Sequence, residues 1–272
     1  MTDLVLFDVD EHGIATITIN RPEVRNALSW DAMQAFSEAV PAAESTPELC
    51  AVIVTGTGHQ SFIAGGDLRD LHGTLSEQDG LRQHDLMAGA LDRLEALPVP
   101  VIAAMEGATR GGGCEVALAC DLRVAAKDAT LGFAQVHMAV TPGWGGAGRL
   151  VRIVGYALAM DLLLTGSVIS AREAWSLGLV SRLSSSGRAR EAAHQIALDI
   201  ARGPRLAARG IKDVLRAHVA LPAEAARARE RAVFGQLWAS PDHAEAAQAF
   251  LEERKPQFQA ASAVRQRKEP GA

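Results

Sequence analysis

Short apolar segments alternate with glycine-containing turns and helical stretches through the first two thirds of the chain, and this alternation limits the possible folds most strongly. From about residue 188 to Pro270 the pattern changes to helix only, rich in Ala, Arg and Glu. Strand–helix alternation followed by a run of helices predicts an α/β core with a separate helical region. We place the core at residues 1–190 and the helical region at residues 191–272. The apolar patterns predict strands at Phe7–Val9, Ile14–Ile19, Ala51–Thr55, Val101–Met105 and Leu122–Ala125.

Helix signals lie between and after these strands. A helix is predicted from Trp30 to about Glu44, with the preceding serine as its N-cap. A second helix is predicted over Leu86–Leu97, and the polar stretch Leu68–Asp79 before it has the pattern of an irregular loop. A capping box at Ser170–Glu173 opens a further helix, and Leu179–Leu183 is predicted as a last short strand.

Composition excludes several classes of protein. The 272 residues are 48% hydrophobic and 22% charged, so the chain can bury a core without disulfides or metal. The net charge of −5, with no basic stripe, argues against nucleic-acid binding. Three cysteines with no paired spacing favour a reducing compartment. No signal peptide, membrane span or metal-binding motif is present, so we expect a cytoplasmic protein without membrane contact.

A glycine triplet at the start of a helix is the first candidate site. The strand Val101–Met105 leads to Gly111-Gly112-Gly113, and the apolar helical stretch after it contains Glu115 in its first turn. Backbone amides at a helix start lack intrahelical acceptors and carry the positive end of the helix dipole, so they can bind an oxyanion. Glu115 is placed to act as an acid or a base. The alternative is a tight turn in which Glu115 only balances the dipole.

Two other glycine-rich segments extend this picture. Ala64–Asp67 offers further amides after an apolar stretch, and two amide sources can converge on one oxygen to stabilise an enolate. The alternative is an ordinary loop. Gly143–Gly148 fits the spacing of a dinucleotide fingerprint, but it follows Thr141-Pro142 rather than a buried strand. We therefore predict a turn and helix start against a ligand. His84 is expected to be solvated.

Taken in order, these motifs resemble the crotonase family, also called the enoyl-CoA hydratase/isomerase family. The resemblance runs from about residue 17 to residue 258. Each motif is common alone, but the ordered set is specific. The landmarks are Ile19–Pro22, Arg25–Leu28, Phe62–Leu68, Gly111–Glu115, Ala119–Asp121, Pro142–Gly146, Leu164–Gly166, Gly178–Val180 and Ala249–Glu252.

The resemblance implies a crotonase-like spiral of ββα units with a C-terminal helical trimerisation region. It also implies a homotrimer or a dimer of trimers, and an acyl-CoA thioester as substrate with no separate cofactor or metal. The amides of Ala64 and Gly112 match the family's oxyanion-hole donors, with Glu115 as the acid or base. The positions that match the family's substrate- and CoA-binding residues are Arg25, Ala27, Ala64, Gly66, Asp67, Leu68, Gly111, Gly112, Pro142, Gly143, Lys255 and Phe258.

One residue departs from the family's hydratases, which hold the attacking water between two glutamates. Glu115 matches the first glutamate, but Gln135 stands at the second position. A carboxamide can hydrogen-bond water but exchanges no proton near neutral pH. We therefore expect weak hydratase activity at best. Three activities stay open: double-bond isomerisation with Glu115 as a single proton shuttle, decarboxylation of a malonyl-type acyl-CoA, and CoA-thioester binding with little catalysis.

Overall fold

The computed structural model describes residues 3–73 and 75–258. These residues form ten strands and eleven α-helices. In chain order the strands are β1 (Val5–Val9), β2 (Ile14–Ile19), β3 (Ala51–Gly56), β4 (Ser61–Ile63), β5 (Val101–Met105), β6 (Ala108–Arg110), β7 (Leu122–Ala126), β8 (Thr130–Gly132), β9 (Val168–Ser170) and β10 (Arg182–Ser184).

The helices fill the intervals between strands and all of the C-terminal region. They are α1 (Trp30–Glu44), α2 (Leu68–Leu71), α3 (Glu77–Ala96), α4 (Gly112–Ala119), α5 (Gly146–Val154), α6 (Tyr156–Thr165), α7 (Ala171–Ser176), α8 (Ala189–Ala201), α9 (Arg205–Ala220), α10 (Ala223–Trp238) and α11 (Pro241–Leu251), with short 3₁₀ helices at Pro22–Val24 and Ala134–Met138.

The strands form two sheets that the chain visits alternately. The larger sheet has the order β1-β2-β3-β5-β7-β10, antiparallel between β1 and β2 and parallel elsewhere. The smaller sheet has the order β4-β6-β8-β9, with only β8 and β9 antiparallel. The pairs β3–β4, β5–β6 and β7–β8 each place one strand in the larger sheet and the next in the smaller. This α/β spiral of strand pairs and helices confirms the predicted fold class.

Helices cover both faces of the larger sheet because its central strands are apolar on both sides. On one face, Val52 and Val54 pack in a cluster that includes Phe36 of α1. On the other face, Ile53 and its neighbours pack against Ala193, Ile196 and Ala197 of α8. The first helix of the C-terminal region therefore belongs to the core packing, and the division at residue 190 stays a prediction.

The predicted helix Trp30–Glu44 is confirmed, and Ser29 caps it by accepting a hydrogen bond from the amide of Ala32. The predicted irregular loop at Leu68–Asp79 is wrong. It contains α2 and the first turn of α3, because Ser76 and Asp79 form a capping box that starts the helix nine residues earlier than its apolar spacing suggests.

Two other boundaries also differ from the predictions. The strand expected at Leu179–Leu183 runs from Arg182 to Ser184. The amides of Leu179 and Val180 instead donate to the carbonyl oxygen of Ala174 in α7 and form the turn that follows this helix. The helical pattern expected to reach Pro270 ends at Leu251, and residues 259–272 lie outside the described part of the chain. Of the helices in residues 3–73 and 75–258, none has the length and apolarity needed to cross a membrane.

Candidate active site

The N-terminus of α4 lies directly against the end of β4. A methyl group at Gly113 would lie 2.1 Å from the carbonyl oxygen of Ile63, so only a residue without a side chain allows this approach. A methyl group at Gly65 would lie 3.5 Å from the amide nitrogen of Gly112. The two glycine-rich segments of the sequence are therefore neighbours in space.

The two amides proposed as oxyanion donors have different surroundings. Gly112 is the first residue of α4, so its amide has no acceptor within the helix. The amide of Ala64 donates to the carbonyl oxygen of Arg25 at 3.2 Å. A ligand oxygen at Ala64 must therefore share or replace this long hydrogen bond.

Glu115 is enclosed in the first turn of α4, with only 2% of its surface exposed. Its Oε2 accepts hydrogen bonds from the amides of Trp144 and Gly146, both at 2.8 Å. Its Oε1 accepts from the amide of Gly143 at 3.2 Å and from Nε2 of Gln135 at 3.1 Å. The turn before α5 thus folds around this carboxylate, and three of its four donors are backbone amides.

This environment acts on the proton affinity of Glu115 in two opposing ways. Burial raises the pKa of the carboxyl group, and the donors from Gly146, Trp144, Gln135 and Gly143 lower it. The net pKa lies above the ordinary value for glutamate. An ionised carboxylate has about four lone-pair sites. The four donors occupy all of them, so Glu115 must release one partner before it can take a proton.

Gln135 comes to Glu115 from the 3₁₀ helix Ala134–Met138. Because its amide nitrogen donates to the carboxylate, its Oε1 points elsewhere. This oxygen is buried and has no hydrogen-bond partner within residues 3–73 and 75–258. Gln135 is the only side chain among the four donors, so it is the partner that can leave by rotation about its own bonds.

Trp144 is a site residue that sequence reasoning missed. A methyl group at Gly112 would lie 2.1 Å from the indole ring, which therefore covers the start of α4. The carbonyl oxygen of Trp144 accepts from Nη1 of Arg149 at 3.0 Å. Arg149 in turn pairs with Asp92 at 2.6 Å and Glu95 at 2.9 Å on α3. The only sequence signal was a large aromatic residue within a glycine-rich turn.

The segment after β2 runs beside the loop that contains Ala64. The amide of Leu28 donates to Gly65, and the amide of Asp67 donates to Leu28, both at 2.8 Å. This pairing places Arg25 and Ala27 near Gly66 and Leu68, and their binding of CoA stays a prediction. Of these side chains, Arg25 and Leu68 are exposed and Ala27 is buried.

Asp67 has structural partners that the motif did not reveal. Its carboxylate caps α2 through the amide of Arg69 and pairs with Arg21 at 2.9 Å. Arg21 also donates to the carbonyl oxygen of Ala27. The Asp67 side chain thus joins the two segments to each other, and Arg21 is a further residue that the sequence did not single out.

The C-terminal candidates lie elsewhere in the chain. Phe258 lines a cavity of about 140 Å³ with Leu206, Leu237 and His243, between helices of the C-terminal region. Lys255 is exposed in the segment after α11. Pro142 precedes Gly143 in the turn around Glu115, and Gly111 donates its amide to Gly132 at 2.9 Å before α4 begins.

Comparison with known proteins decides the family. A family model described as enoyl-CoA hydratase/isomerase matches residues 10–261, which is most of the chain. The chain belongs to the enoyl-CoA hydratase/isomerase family. The resemblance found in the motifs is thereby confirmed, and so is the prediction that the protein is an enzyme of this family.

Relatives in the enoyl-CoA hydratase/isomerase family match nearly end to end. The short-chain-enoyl-CoA hydratase of Clostridium acetobutylicum is 36% identical over 90% of this chain and 94% of the relative. The 2,3-dehydroadipyl-CoA hydratase of Escherichia coli is 35% identical over 91% and 96%. The crystal structure of an enoyl-CoA hydratase from Bacillus anthracis superposes with a TM-score of 0.89, at 31% identity, over 94% of this chain and 99% of that one.

Proposed function

We propose that this protein acts on acyl-CoA thioesters by stabilising a thioester enolate, with Glu115 as the group that moves the proton. The observation that carries the proposal is a buried carboxylate in the first turn of α4, three residues after Gly112, whose amide nitrogen lies next to Gly65 in the loop that contains Ala64. Relatives named for acyl-CoA substrates support the choice of substrate class.

A single carboxylate favours isomerisation over hydration. In a 3-enoyl-CoA, Glu115 takes a proton from C2, and the C–H electron pair moves toward the thioester oxygen held by the amides of Ala64 and Gly112. The dienolate then takes the proton back from Glu115 at C4, giving the 2-enoyl-CoA and restoring the carboxylate. No water and no second carboxylate take part. Hydration in this family uses a second carboxylate beside the attacking water, and Gln135 at that position cannot exchange a proton.

Gln135 has a defined part in this cycle. Because all the lone-pair sites of Glu115 are occupied, its Oε1 accepts a proton only after one donor leaves. Rotation of the Gln135 carboxamide frees that site without moving the backbone. The Oε1 of Gln135 is then available to accept a hydrogen bond from a polar group of the substrate or from water.

The same saturation of Glu115 favours a second candidate, a CoA-thioester-binding protein with little catalysis. If Gln135 stays hydrogen-bonded to the carboxylate, Glu115 holds the turn before α5 and exchanges no proton.

Decarboxylation of a malonyl-type acyl-CoA is the further reaction to assay. It needs the enolate to be stabilised and then protonated, with no paired bases.

The proposal includes the binding of CoA by the residues that match the family's motif. Arg25, Ala27, Gly66, Asp67 and Leu68 would line its nucleotide and pantetheine parts. Lys255 and Phe258 would contribute from the C-terminal segment of the same or a neighbouring subunit in a homotrimer or dimer of trimers. No cofactor beyond the CoA of the substrate is needed for the proposed steps.

Three thioesters separate these functions. Purified protein is assayed with a 3-enoyl-CoA, with crotonyl-CoA and with methylmalonyl-CoA. We expect isomerisation of the first to be the fastest and hydration of the second to be slow, with a Gln135→Glu variant gaining hydration. Rapid crotonyl-CoA hydration by the native protein contradicts the role given to Gln135. Binding of all three without turnover supports the second candidate.

A further inference from the structure

His84 of helix α3 contacts the turn around Glu115. Its Nδ1 lies 2.5 Å from the carbonyl oxygen of Gly143, although α3 and this turn are far apart in sequence. A carbonyl oxygen carries no proton, so Nδ1 is the donor in this hydrogen bond. The imidazole is exposed but not simply solvated, which corrects the sequence-based expectation.

The Gly143 carbonyl belongs to the same peptide group as the amide of Trp144. That amide donates to Oε2 of Glu115 at 2.8 Å. Since a peptide group is planar, its C=O and N–H point in opposite directions and cannot be aimed separately. The hydrogen bond from His84 to the carbonyl and the hydrogen bond from the amide to Glu115 therefore fix the orientation of this peptide plane. A donor on the carbonyl also polarises the amide and strengthens its bond to the carboxylate.

We propose that His84 is a positioning residue for Glu115, acting through the Gly143–Trp144 peptide. The proposal rests on the proposed function of Glu115. Gly143 has no side chain, so its backbone dihedral angles are less restricted than those of other residues, and rotation of this peptide is easier here than at a residue with a Cβ. A rotated peptide would turn its carbonyl oxygen toward the carboxylate. His84 holds the plane against that rotation.

The next peptide is tied to the same helix. Arg149 donates to the carbonyl oxygen of Trp144 and pairs with Asp92 and Glu95 of α3. Helix α3 thus secures the carbonyl oxygens of two successive residues, Gly143 through His84 and Trp144 through Arg149. The hydrogen bond of His84 is therefore one of two contacts that attach this turn to α3, and not an isolated surface hydrogen bond.

Two variants test whether the donor itself matters. His84→Leu removes the donor, and His84→Asn keeps an N–H at nearly the position of Nδ1. His12→Leu is the matched control, since His12 is a histidine of the β1–β2 turn that makes no contact with this site. For each, kcat and KM are measured with the thioester that the native protein turns over fastest, and a crystal structure is determined.

We expect His84→Leu to lower kcat by roughly three- to tenfold, the effect of one lost hydrogen bond, with KM changed by less than about twofold. In its crystal structure the Trp144 amide should no longer reach Glu115, while His84→Asn and His12→Leu should match the native enzyme. An unchanged kcat and an intact bond from Trp144 to Glu115 in His84→Leu would overturn the proposal, as would a His84→Asn variant as slow as His84→Leu. If the native protein turns over no thioester, the proposed function fails, and the crystal structures alone decide the role of His84.

Discussion

At the scale of single residues, burial of Glu115 determines the pH range in which it can act as a base. Its pKa lies above the ordinary glutamate value of 4.5 because desolvation outweighs the four donors. A carboxylate acts as a base only when ionised, so activity should rise with pH through this raised pKa. On acidification, activity should be lost at a pH at which an ordinary glutamate is still ionised. The measurement is kcat as a function of pH for the isomerisation reaction. An acid limb centred below 4.5 would contradict the assignment.

Part of this site follows from sequence and part does not. The position of Gln135 beside Glu115 agrees with the motif comparison, because side-chain identity and spacing carry that information. The saturation of the carboxylate could not be predicted, since three of its donors are backbone amides of residues 143, 144 and 146. Amide directions depend on how the turn folds, and no side-chain pattern encodes them.

At the scale of elements, the contact between α4 and β4 depends on Gly113. A Gly113→Ala methyl group would meet the Ile63 backbone at 2.1 Å, and a backbone atom cannot move aside as a flexible side chain can. We expect a loss of about 1–3 kcal/mol in the free energy of unfolding, together with lower activity, because the two amide segments are forced apart. Urea denaturation measures the first effect.

The control for that variant is Gly89→Ala in α3. Apart from the chain neighbours and the backbone of α3 itself, no atom of residues 3–73 and 75–258 lies within 4 Å of the added methyl group, and alanine favours a helix over glycine. This variant should be neutral or more stable by up to about 1 kcal/mol. Equal destabilisation by both substitutions would show that the α4–β4 contact is not specially tight.

The docking of α9 depends on a buried lysine. Lys212 is 7% exposed, pairs with Asp121 at 2.7 Å and donates to the carbonyl oxygen of Val99 at 2.9 Å. Lys212→Met leaves Asp121 without its cation, and we expect a loss of about 1–3 kcal/mol, since Asp121 keeps some access to water. The exposed pair of Arg202 and Asp199 gives the control, and Arg202→Met should cost less than about 0.5 kcal/mol. Similar losses for the two variants in urea denaturation would refute the role of Lys212.

The elements also show where sequence patterns fail. The central strands β3, β5 and β7 of the larger sheet were predictable because buried parallel strands are largely continuous apolar runs, whereas the edge strand β10 was misplaced. The early start of α3 was missed, since its first two turns are polar apart from the exposed Leu81 and only the Ser76–Asp79 capping box marks them. Apolar spacing detects the buried part of a helix and overlooks an exposed beginning.

At the scale of the whole molecule, the C-terminal helices leave apolar side chains uncovered. Ile211, Leu215 and Val219 lie one helical turn apart on α9, and each is more than 60% exposed. Such a stripe on a single chain favours contact with another copy. Because the family resemblance implies a homotrimer or a dimer of trimers, we propose that this stripe contributes to such an assembly and expect three or six chains, each of 28.7 kDa, in sedimentation analysis. A monomer or dimer at micromolar concentration would contradict the trimer implied by the family resemblance.

The most direct test is hydrogen exchange at C2 of a bound thioester, because enolate formation is common to all the catalytic activities considered. Butyryl-CoA is incubated in D₂O with the native protein and with Glu115→Gln, and deuterium incorporation is followed by mass spectrometry. We predict steady incorporation by the native protein and a rate lower by about 10²–10⁴-fold in the variant, the usual contribution of a general base. Exchange at equal rates in both proteins, or no exchange in a native protein that binds the thioester, would contradict the role of Glu115 in forming the enolate.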